Sequence, residues 1–163
     1  MGLFFALPDW LQALLQTSAK KEIILLAMAA QVLVTLWVYN HVGRARMQAG
    51  RERRITAETY AIVGEEPDDL RLLTRALANQ FELPVLFYVA SLIAIMGYST
   101  WLAPLAAWGF VVARIAHLLE MIGPNRVMRR RKLFFYGMAP VLYLLFEGVL
   151  SLGAMAFHTL FLA

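Results

Sequence analysis

Two short runs of polar residues interrupt otherwise apolar stretches of the sequence, and their spacing suits helical faces. Arg75, Asn79 and Glu82 follow one another at i, i+4 and i+7, so an α-helix places all three on one face. Arg114 and His117 stand at i and i+3 in a second apolar stretch and also share a face. Guanidinium, imidazole and amide groups that converge supply the donors that an anionic ligand with a carboxylate or thiolate requires.

The residue types that the sequence lacks exclude several other chemistries. The chain has no Cys, which excludes a disulfide, a thiolate nucleophile of its own and a cysteine-ligated metal or iron–sulfur site. His41, His117 and His158 are scattered, without HxxxH or HExxH spacing. We therefore expect no metal, neither a zinc ion nor a di-iron centre.

The elements that carry the polar runs are expected to be transmembrane helices. Of the 163 residues, 61% are hydrophobic and only 16% are charged, whereas a typical soluble domain has about a quarter charged residues. Residues 23–43 and 83–113 contain no Asp, Glu, Lys or Arg, and about 20 apolar residues span a bilayer. The composition excludes a soluble enzyme, and the unbroken apolar runs exclude an outer-membrane barrel.

The sequence predicts an all-α integral membrane protein, a four-helix transmembrane bundle with an amphipathic interfacial helix at its N-terminus. Residues 21–163 form the transmembrane domain, with spans at about 23–42, 72–98, 102–122 and 133–162. Pro84 and Pro140 lie inside the second and fourth spans and are predicted to bend them. The run Gly123-Pro124-Asn125 is predicted to end the third span.

Basic residues are concentrated on one side of the predicted bundle. They lie in the loop 43–71 and in the loop after the third span, at 126–132, while the turn between the second and third spans has no charge. Because cytoplasmic loops are enriched in Lys and Arg, both termini are predicted to be non-cytoplasmic, in a bacterial inner membrane or a eukaryotic internal membrane. The net charge of +4 then reflects topology and lipid headgroups, and we expect no nucleic-acid partner.

Residues 1–20 are predicted to lie on the membrane surface. Apolar residues recur there at helical spacing, with Asp9, Gln12 and Gln16 on the opposite face. Neither the basic region nor the small-residue cleavage site of a signal peptide is clear. An interfacial helix with Trp10 at headgroup depth accounts for the pattern, and the alternative is that residues 1–16 dock onto a partner protein.

Depth in the bilayer predicts which polar residues meet. At about 1.5 Å per residue, Glu82 lies about 16 Å into the second span and Arg114 about 13 Å from the end of the third, which runs the opposite way. We therefore expect a Glu82–Arg114 pair, with Asn79 and His117 one turn nearer the cytoplasm. Such a pair either neutralises itself and fixes helix register or helps to bind a ligand. The surplus of donors beside two basic loops favours the ligand.

Glu147 is an isolated carboxyl group in the fourth span. It lies about 22 Å beyond Lys132, too far from Arg114 for straight helices. Three explanations stay open: the group is protonated, it pairs with Gln31, or it pairs with another subunit. No catalytic role is assigned to it.

The run Arg75-Ala76-Leu77-Ala78-Asn79-Gln80-Phe81-Glu82-Leu83-Pro84 resembles the RAxxNxxExxP signature of the MAPEG superfamily. These membrane-associated proteins of eicosanoid and glutathione metabolism include the microsomal glutathione transferases. The long loop after the first span and Arg114-x-x-His117 in the third also agree, and the resemblance covers about residues 23–160. It implies a homotrimer of four-helix subunits that binds glutathione, a cosubstrate, between neighbouring subunits near the cytoplasmic face.

The resemblance also implies roles for individual residues. Arg130, ten residues before Pro140, is the implied catalytic residue, a fixed cation that holds the glutathione thiol as thiolate. Arg44 would reach in from the adjacent subunit. The complete set of implied glutathione-binding residues is Arg44, Arg75, Asn79, Glu82, Arg114 and His117.

Two main functions remain open at this point. In the first, the protein is a membrane-bound glutathione-dependent transferase or peroxidase that activates the thiol toward a lipophilic substrate at the cytoplasmic side. In the second, it is a non-catalytic accessory or scaffold subunit of a larger membrane complex. Met121 and Phe134, which stand where the family frequently has tyrosine, motivate this alternative together with the N-terminal helix. A lipid-binding role of the basic loops is a third, weaker option.

Overall fold

Long helices make up the described part of the chain. The computed structural model describes the backbone of residues 9–60 and 66–161, and the side chains of residues 19–59 and 66–161. In order, the α-helices are α1 (Asp9–Arg51), α2 (Asp68–Ala78), α3 (Leu83–Met96), α4 (Leu102–Ile122) and α5 (Val127–Phe161). Two short 3-10 helices, Glu58–Tyr60 and Asn79–Phe81, lie before α2 and between α2 and α3.

Four helical stretches are long and apolar enough to cross a membrane. They are Ala19–Arg51, Asp68–Met96, Leu102–Ile122 and Val127–Phe161. Their outer faces carry large exposed apolar side chains, including Leu33 on α1 and Leu105 on α4, which are 66% and 68% exposed. Exposed apolar area on this scale suits lipid rather than water, so the predicted four-helix membrane bundle is confirmed.

The helices extend further into the basic segments than the sequence predicted. The third span, α4, has the predicted bounds, but α1 continues to Arg51 and α5 begins at Val127. The prediction that residues 126–132 form a loop is therefore wrong for all but its first residue. Arg and Lys lose little side-chain freedom in a helix, so the helix persists beyond the apolar stretch.

The N-terminal segment continues directly into the first span. Residues 1–8 of the predicted interfacial segment lie outside the described residues, and Asp9–Lys20 belong to the same helix as the span that follows. The position of residues 1–20 on the membrane surface stays a prediction.

The second span is broken near its middle. After α2 the chain forms the 3-10 turn, and Glu82 then takes φ −96° and ψ −96° before α3 begins. Pro84, at the start of α3, has no N–H to donate to the preceding turn, which disfavours an uninterrupted helix. The bend predicted at Pro84 is thus a break in the helix, whereas α5 runs through Pro140 without interruption.

Beyond this break, α3 packs closely against α4 and α5. Phe87 and Phe110 are fully buried and stack with their ring centroids 4.1 Å apart. Gly148 of α5 lies so near α3 that a Cβ atom there would stand 2.8 Å from the backbone N of Ala94. Small residues that let helix backbones approach are typical of packing inside membranes.

A buried amide pair links α1 to the broken part of the second span. Gln31 Nε2 donates a hydrogen bond of 3.1 Å to Gln80 Oε1, and both side chains are buried. The suggested pairing of Gln31 with Glu147 is therefore wrong, since Glu147 Oε1 accepts a hydrogen bond from the backbone N–H of Thr100. Gln80 Nε2 also donates to the carbonyl oxygen of Ala76 at 3.4 Å, but each side chain would lose its partner on the other helix without the pair, which therefore stabilises one register of the two helices.

Candidate functional site

An open cavity of about 660 Å³ lies where α2, the 3-10 turn, α4 and α5 meet. Its volume falls in the range of small-molecule sites. Five of the predicted site residues line it: Arg75, Asn79, Glu82, His117 and Arg130. The remaining lining residues are Ala78, Met121, Val127, Arg131, Phe134 and Phe135. The two polar runs of the sequence thus meet around one space.

Asn79 is held at the cavity wall through both its side chain and its main chain. Its Nδ2 donates to the carbonyl oxygen of Arg75 at 3.0 Å and to Met121 Sδ at 3.3 Å. Its own carbonyl oxygen accepts a hydrogen bond of 2.7 Å from Arg114 Nη2. Carbonyl groups at a helix end lack intrahelical partners, and here α4 supplies one. Asn79 is therefore fixed relative to both α2 and α4.

The predicted ion pair between Glu82 and Arg114 is wrong. In the described ranges no ion pair of 4 Å or less joins them. Arg114 is 1% exposed and lies behind the cavity wall, while Glu82 is exposed and lines the cavity. Residues at i, i+4 and i+7 share a face only in one continuous α-helix, whereas a 3-10 turn has three residues per turn instead of 3.6. The turn therefore breaks the helical face on which the pair was predicted, and Glu82 interacts with Arg114 only electrostatically, at a distance greater than that of an ion pair.

The arginines near the start of α5 differ in their partners. Glu120, buried at the end of α4, accepts a hydrogen bond of 3.0 Å from Arg126 Nε and lies 3.4 Å from Arg129 Nε. Arg130 Nη1 donates instead to the neutral Asn125 Oδ1 at 2.7 Å. No carboxylate of the described residues lies within 4 Å of the Arg130 guanidinium. Its positive charge thus faces the cavity without a neutralising partner.

Asn125 builds the turn that positions Arg130. Its φ of 50° lies in the left-handed region, which Asn tolerates better than most residues. Its N–H donates to the carbonyl oxygen of Glu120 at 2.7 Å and closes the end of α4. In the sequence, Asn125 was recognised only as part of a helix stop and not as a site residue. The signal was present in Gly123-Pro124-Asn125, which is typical of a left-handed turn.

The cavity has an apolar side and a cationic side. His117, which is 5% exposed, faces Phe134 edge-on with ring centroids 6.2 Å apart, and Met121 lies beside them. The charged lining residues are three arginines against one carboxylate, namely Arg75, Arg130, Arg131 and Glu82. An excess of guanidinium groups next to an apolar wall suits an anionic ligand with an apolar or thiol part.

Arg44 is not part of the cavity lining in its own chain. Its Nε donates to Asn40 Oδ1 at 3.2 Å on the exposed side of α1. The nearby Arg46 ties α1 to the start of the second span, because its Nη2 donates to Glu66 Oε1 at 2.7 Å and to Thr74 Oγ1 at 2.9 Å. That Arg44 reaches the cavity of an adjacent subunit stays a prediction.

Comparison with protein-family models decides which family has these features. The model of the MAPEG family matches residues 24–150. The chain belongs to the MAPEG family. Searches of curated proteins and of solved structures gave no significant match.

Family membership and the four spans together establish the class of protein. This MAPEG chain is an integral, multi-pass membrane protein of a family of eicosanoid and glutathione metabolism. The matched range includes every residue that lines the cavity, so the site belongs to the family domain. Residues 1–23 lie outside the match.

Proposed function

We propose that this MAPEG protein is a glutathione-dependent transferase or peroxidase that acts on a lipophilic substrate from the bilayer. The observation that carries the proposal is the convergence of Arg75, Asn79, Glu82, His117 and Arg130 on one cavity. These residues come from separate parts of the sequence, and they are those that the family resemblance associates with glutathione. Their meeting in one place supports a ligand site over isolated pairs that only fix helix register.

The donor set of the cavity fits glutathione, a peptide with two carboxylates, one ammonium and one thiol. Arg75 and Arg131 are suited to the carboxylates, because guanidinium groups bind carboxylates with two parallel hydrogen bonds. Glu82 is suited to the ammonium group. The excess of positive charge in the lining matches the net negative charge of the peptide.

Glutathione would supply the reacting thiol, and Arg130 is the residue proposed to hold it in the thiolate form. A fixed cation near a thiol lowers its pKa, and the thiolate is the attacking species. Because Arg130 is bonded to a neutral amide and not to a carboxylate, its charge is available for that purpose. Asn125 would act as the residue that orients it.

The assembly proposed for this function is a homotrimer. Arg44 is exposed on α1, where it could reach the cavity of a neighbouring subunit and add a further cation. The apolar lining around Phe134 and Phe135 would meet the acceptor substrate as it arrives from the lipid.

Titration of the purified protein with glutathione tests the proposal. We expect saturable thermal stabilisation together with the ultraviolet absorbance of a thiolate. Arg130→Ala should abolish the thiolate signal and turnover of electrophiles or lipid hydroperoxides. The matched control is Arg129→Ala, one residue away, whose side chain pairs with Glu120. A wild-type protein without any response, or equal losses in the two variants, would contradict the assignment.

A non-catalytic accessory or scaffold role is the second candidate. It is favoured by Met121 and Phe134, which line the cavity without the hydroxyl groups frequent at these places in the family. Met121 Sδ also accepts a hydrogen bond from Asn79 Nδ2, so this N–H donor of Asn79 is not available to a ligand. In this role, deletion of residues 1–16 should release a protein partner in mild detergent, and Arg130→Ala should leave that partner bound. An unaltered set of co-purified proteins after the deletion would count against it.

A further inference from the structure

A second cavity lies between the α3–α4 turn and α5, at the opposite end of the bundle from the first. Its volume is about 400 Å³. Glu147, in its lining, stands about 26 Å along α5 from Arg130 by the helical rise, so the two cavities belong to opposite halves of the bilayer. Hydroxyl and aromatic groups surround this carboxylate: Tyr98, Thr100, Tyr143, Phe146 and Ser151.

Only one of the two carboxylate oxygens of Glu147 accepts a hydrogen bond from the residues around it. Its Oε1 accepts a hydrogen bond from the backbone N–H of Thr100. Its Oε2 is buried and has no hydrogen-bond partner in the described parts of the chain, and no cation there lies within 4 Å. A carboxylate oxygen in apolar surroundings is costly without a donor or a counter-ion. The Tyr143 hydroxyl interacts with the Glu147 carboxylate, but no cation of the described residues balances its charge within 4 Å.

Lys20, the cationic residue of α1 that contacts this turn, bonds to groups other than Glu147. Lys20 Nζ donates to the carbonyl oxygen of Ser99 at 3.2 Å and lies 5.3 Å from the centroid of the Trp101 ring. The turn is thus bonded on one side by Lys20 and on the other by Glu147. Lys20 is not the counter-ion of Glu147.

The rest of the lining determines what kind of donor fits. Tyr143 OH and Thr100 Oγ1 are hydrogen-bonded to each other at 3.1 Å, and their oxygen atoms keep lone pairs that can accept further hydrogen bonds. Tyr98 and Phe146 present aromatic rings, which attract cations. A group with several N–H donors and a positive charge satisfies all of these at once. Leu150 and the adjacent lipid would accommodate an apolar body.

We propose that this second cavity binds a protonated alkylammonium group carried on an apolar body, with Glu147 as its counter-ion. Two sources share this chemistry, a free lipophilic amine and the headgroup of an aminophospholipid. The site is separate from the cavity near Arg130 and does not depend on glutathione.

The test uses the full chain in a neutral detergent with n-dodecylamine as the probe and 1-dodecanol as its uncharged match. The amine should raise the midpoint of thermal unfolding in a saturable way, and the alcohol should not. Glu147→Gln should weaken amine binding by at least about tenfold, since it removes a charge-assisted hydrogen bond. Glu52→Gln, which removes an equal charge from the exposed segment after α1, should leave amine binding unchanged.

A milder variant and a competition experiment complete the test. Tyr143→Phe keeps the ring and removes one acceptor, so it should weaken amine binding by a few-fold, on the order of one neutral hydrogen bond. This variant decides the matter if Glu147→Gln does not fold, and unchanged affinity would then overturn the proposal.

Competition by phosphatidylethanolamine but not phosphatidylcholine would identify the headgroup as the source. Absence of competition would identify a free amine, and either result supports the shared chemistry.

Three results would overturn the proposal outright. The first is stabilisation by 1-dodecanol equal to that by the amine, and the second is unchanged amine affinity in Glu147→Gln. The third is dissociation of an oligomer by Glu147→Gln without any amine binding to the wild type, which would make Glu147 a contact between subunits.

Discussion

Arg114 of α4 donates a hydrogen bond of 2.7 Å to the main-chain carbonyl oxygen of Asn79, the residue at which the second span leaves α-helical geometry. The broken helix leaves carbonyl groups without intrahelical partners, and a buried guanidinium is costly unless its N–H groups are bonded. Each of the two features therefore stabilises the other. The same bond connects the wall of the larger cavity to the best-buried helix of the bundle.

Replacement of Arg114 should destabilise the protein and disturb the cavity. Arg114→Met keeps approximately the length of the side chain and removes the bond to Asn79, so we expect a loss of at most about 1.5–3 kcal/mol, the range for a hydrogen bond with a charged partner. The variant also removes Nε and Nη1 of Arg114, which are buried without hydrogen-bond partners. Because their burial is unfavourable in the wild type, this offsets part of the loss. Chemical unfolding in detergent measures it. The exposed Arg71→Met serves as the control, and an equal effect of both variants would contradict the role of the bond.

The amide pair of Gln31 and Gln80 should show coupling between its members. Gln31→Leu or Gln80→Leu alone leaves one buried amide unsatisfied, whereas the double variant removes both polar groups. We expect each single variant to destabilise and the double variant to cost less than the sum, with a coupling of about 0.5–2 kcal/mol. A double-mutant cycle of unfolding free energies measures the coupling. Strict additivity would mean that the 3.1 Å bond contributes nothing.

Two glycines of α5 should respond in opposite ways to alanine. Gly148→Ala places a Cβ atom 2.8 Å from the backbone N of Ala94, and overpacking of this kind costs about 1–3 kcal/mol. At Gly153 a Cβ atom meets nothing within 4 Å, so Gly153→Ala should stabilise the helix by up to about 1 kcal/mol. Thermal unfolding of the two variants side by side tests this. Equal shifts would show that α3 and α5 do not approach as described.

Two substitutions of Asn125 should distinguish its role in the backbone turn from its role in orienting Arg130. Asn125→Gly tolerates the left-handed φ of 50° but removes the hydrogen bond to Arg130. Asn125→Ala removes the same bond and adds strain of about 1–2 kcal/mol. Stability should therefore fall mainly in the alanine variant, while glutathione affinity or the thiolate signal should fall in both. Full thiolate signal in Asn125→Gly would show that Asn125 does not position Arg130.

Much of the architecture could be predicted from the sequence, because a helix that crosses the hydrocarbon core must have about 20 mostly apolar residues. The apolar stretch that ends before Gly123 predicted a span at about 102–122, where α4 lies. The signature around Arg75 led to the family that the match over residues 24–150 confirmed. Both depend on local patterns, namely a length of apolar residues and a short motif. Such patterns can be recognised without knowing which residues each side chain contacts in the folded protein.

The contacts of the polar residues could not be read in the same way. The predicted ion pair of Glu82 with Arg114 does not form, because the 3-10 turn Asn79–Phe81 interrupts the continuous helix that the prediction required. Arg114 also found a main-chain oxygen as its partner, and periodicity of side chains says nothing about main-chain acceptors. Asn125 was missed for a related reason, since its importance lies in its backbone angle and in the hydrogen bond that it accepts from Arg130, five residues further on.

The turn between α3 and α4 has a consequence for how the protein reaches its membrane. Its residues, Gly97-Tyr98-Ser99-Thr100-Trp101, carry no charge, while arginines flank the paired spans on both of their other ends. On the predicted topology, in which both basic segments are cytoplasmic, this turn crosses the hydrocarbon without the cost of transferring an ionised side chain. We therefore predict that the second and third spans insert together as one helical hairpin, which the stack of Phe87 on Phe110 joins in the folded protein.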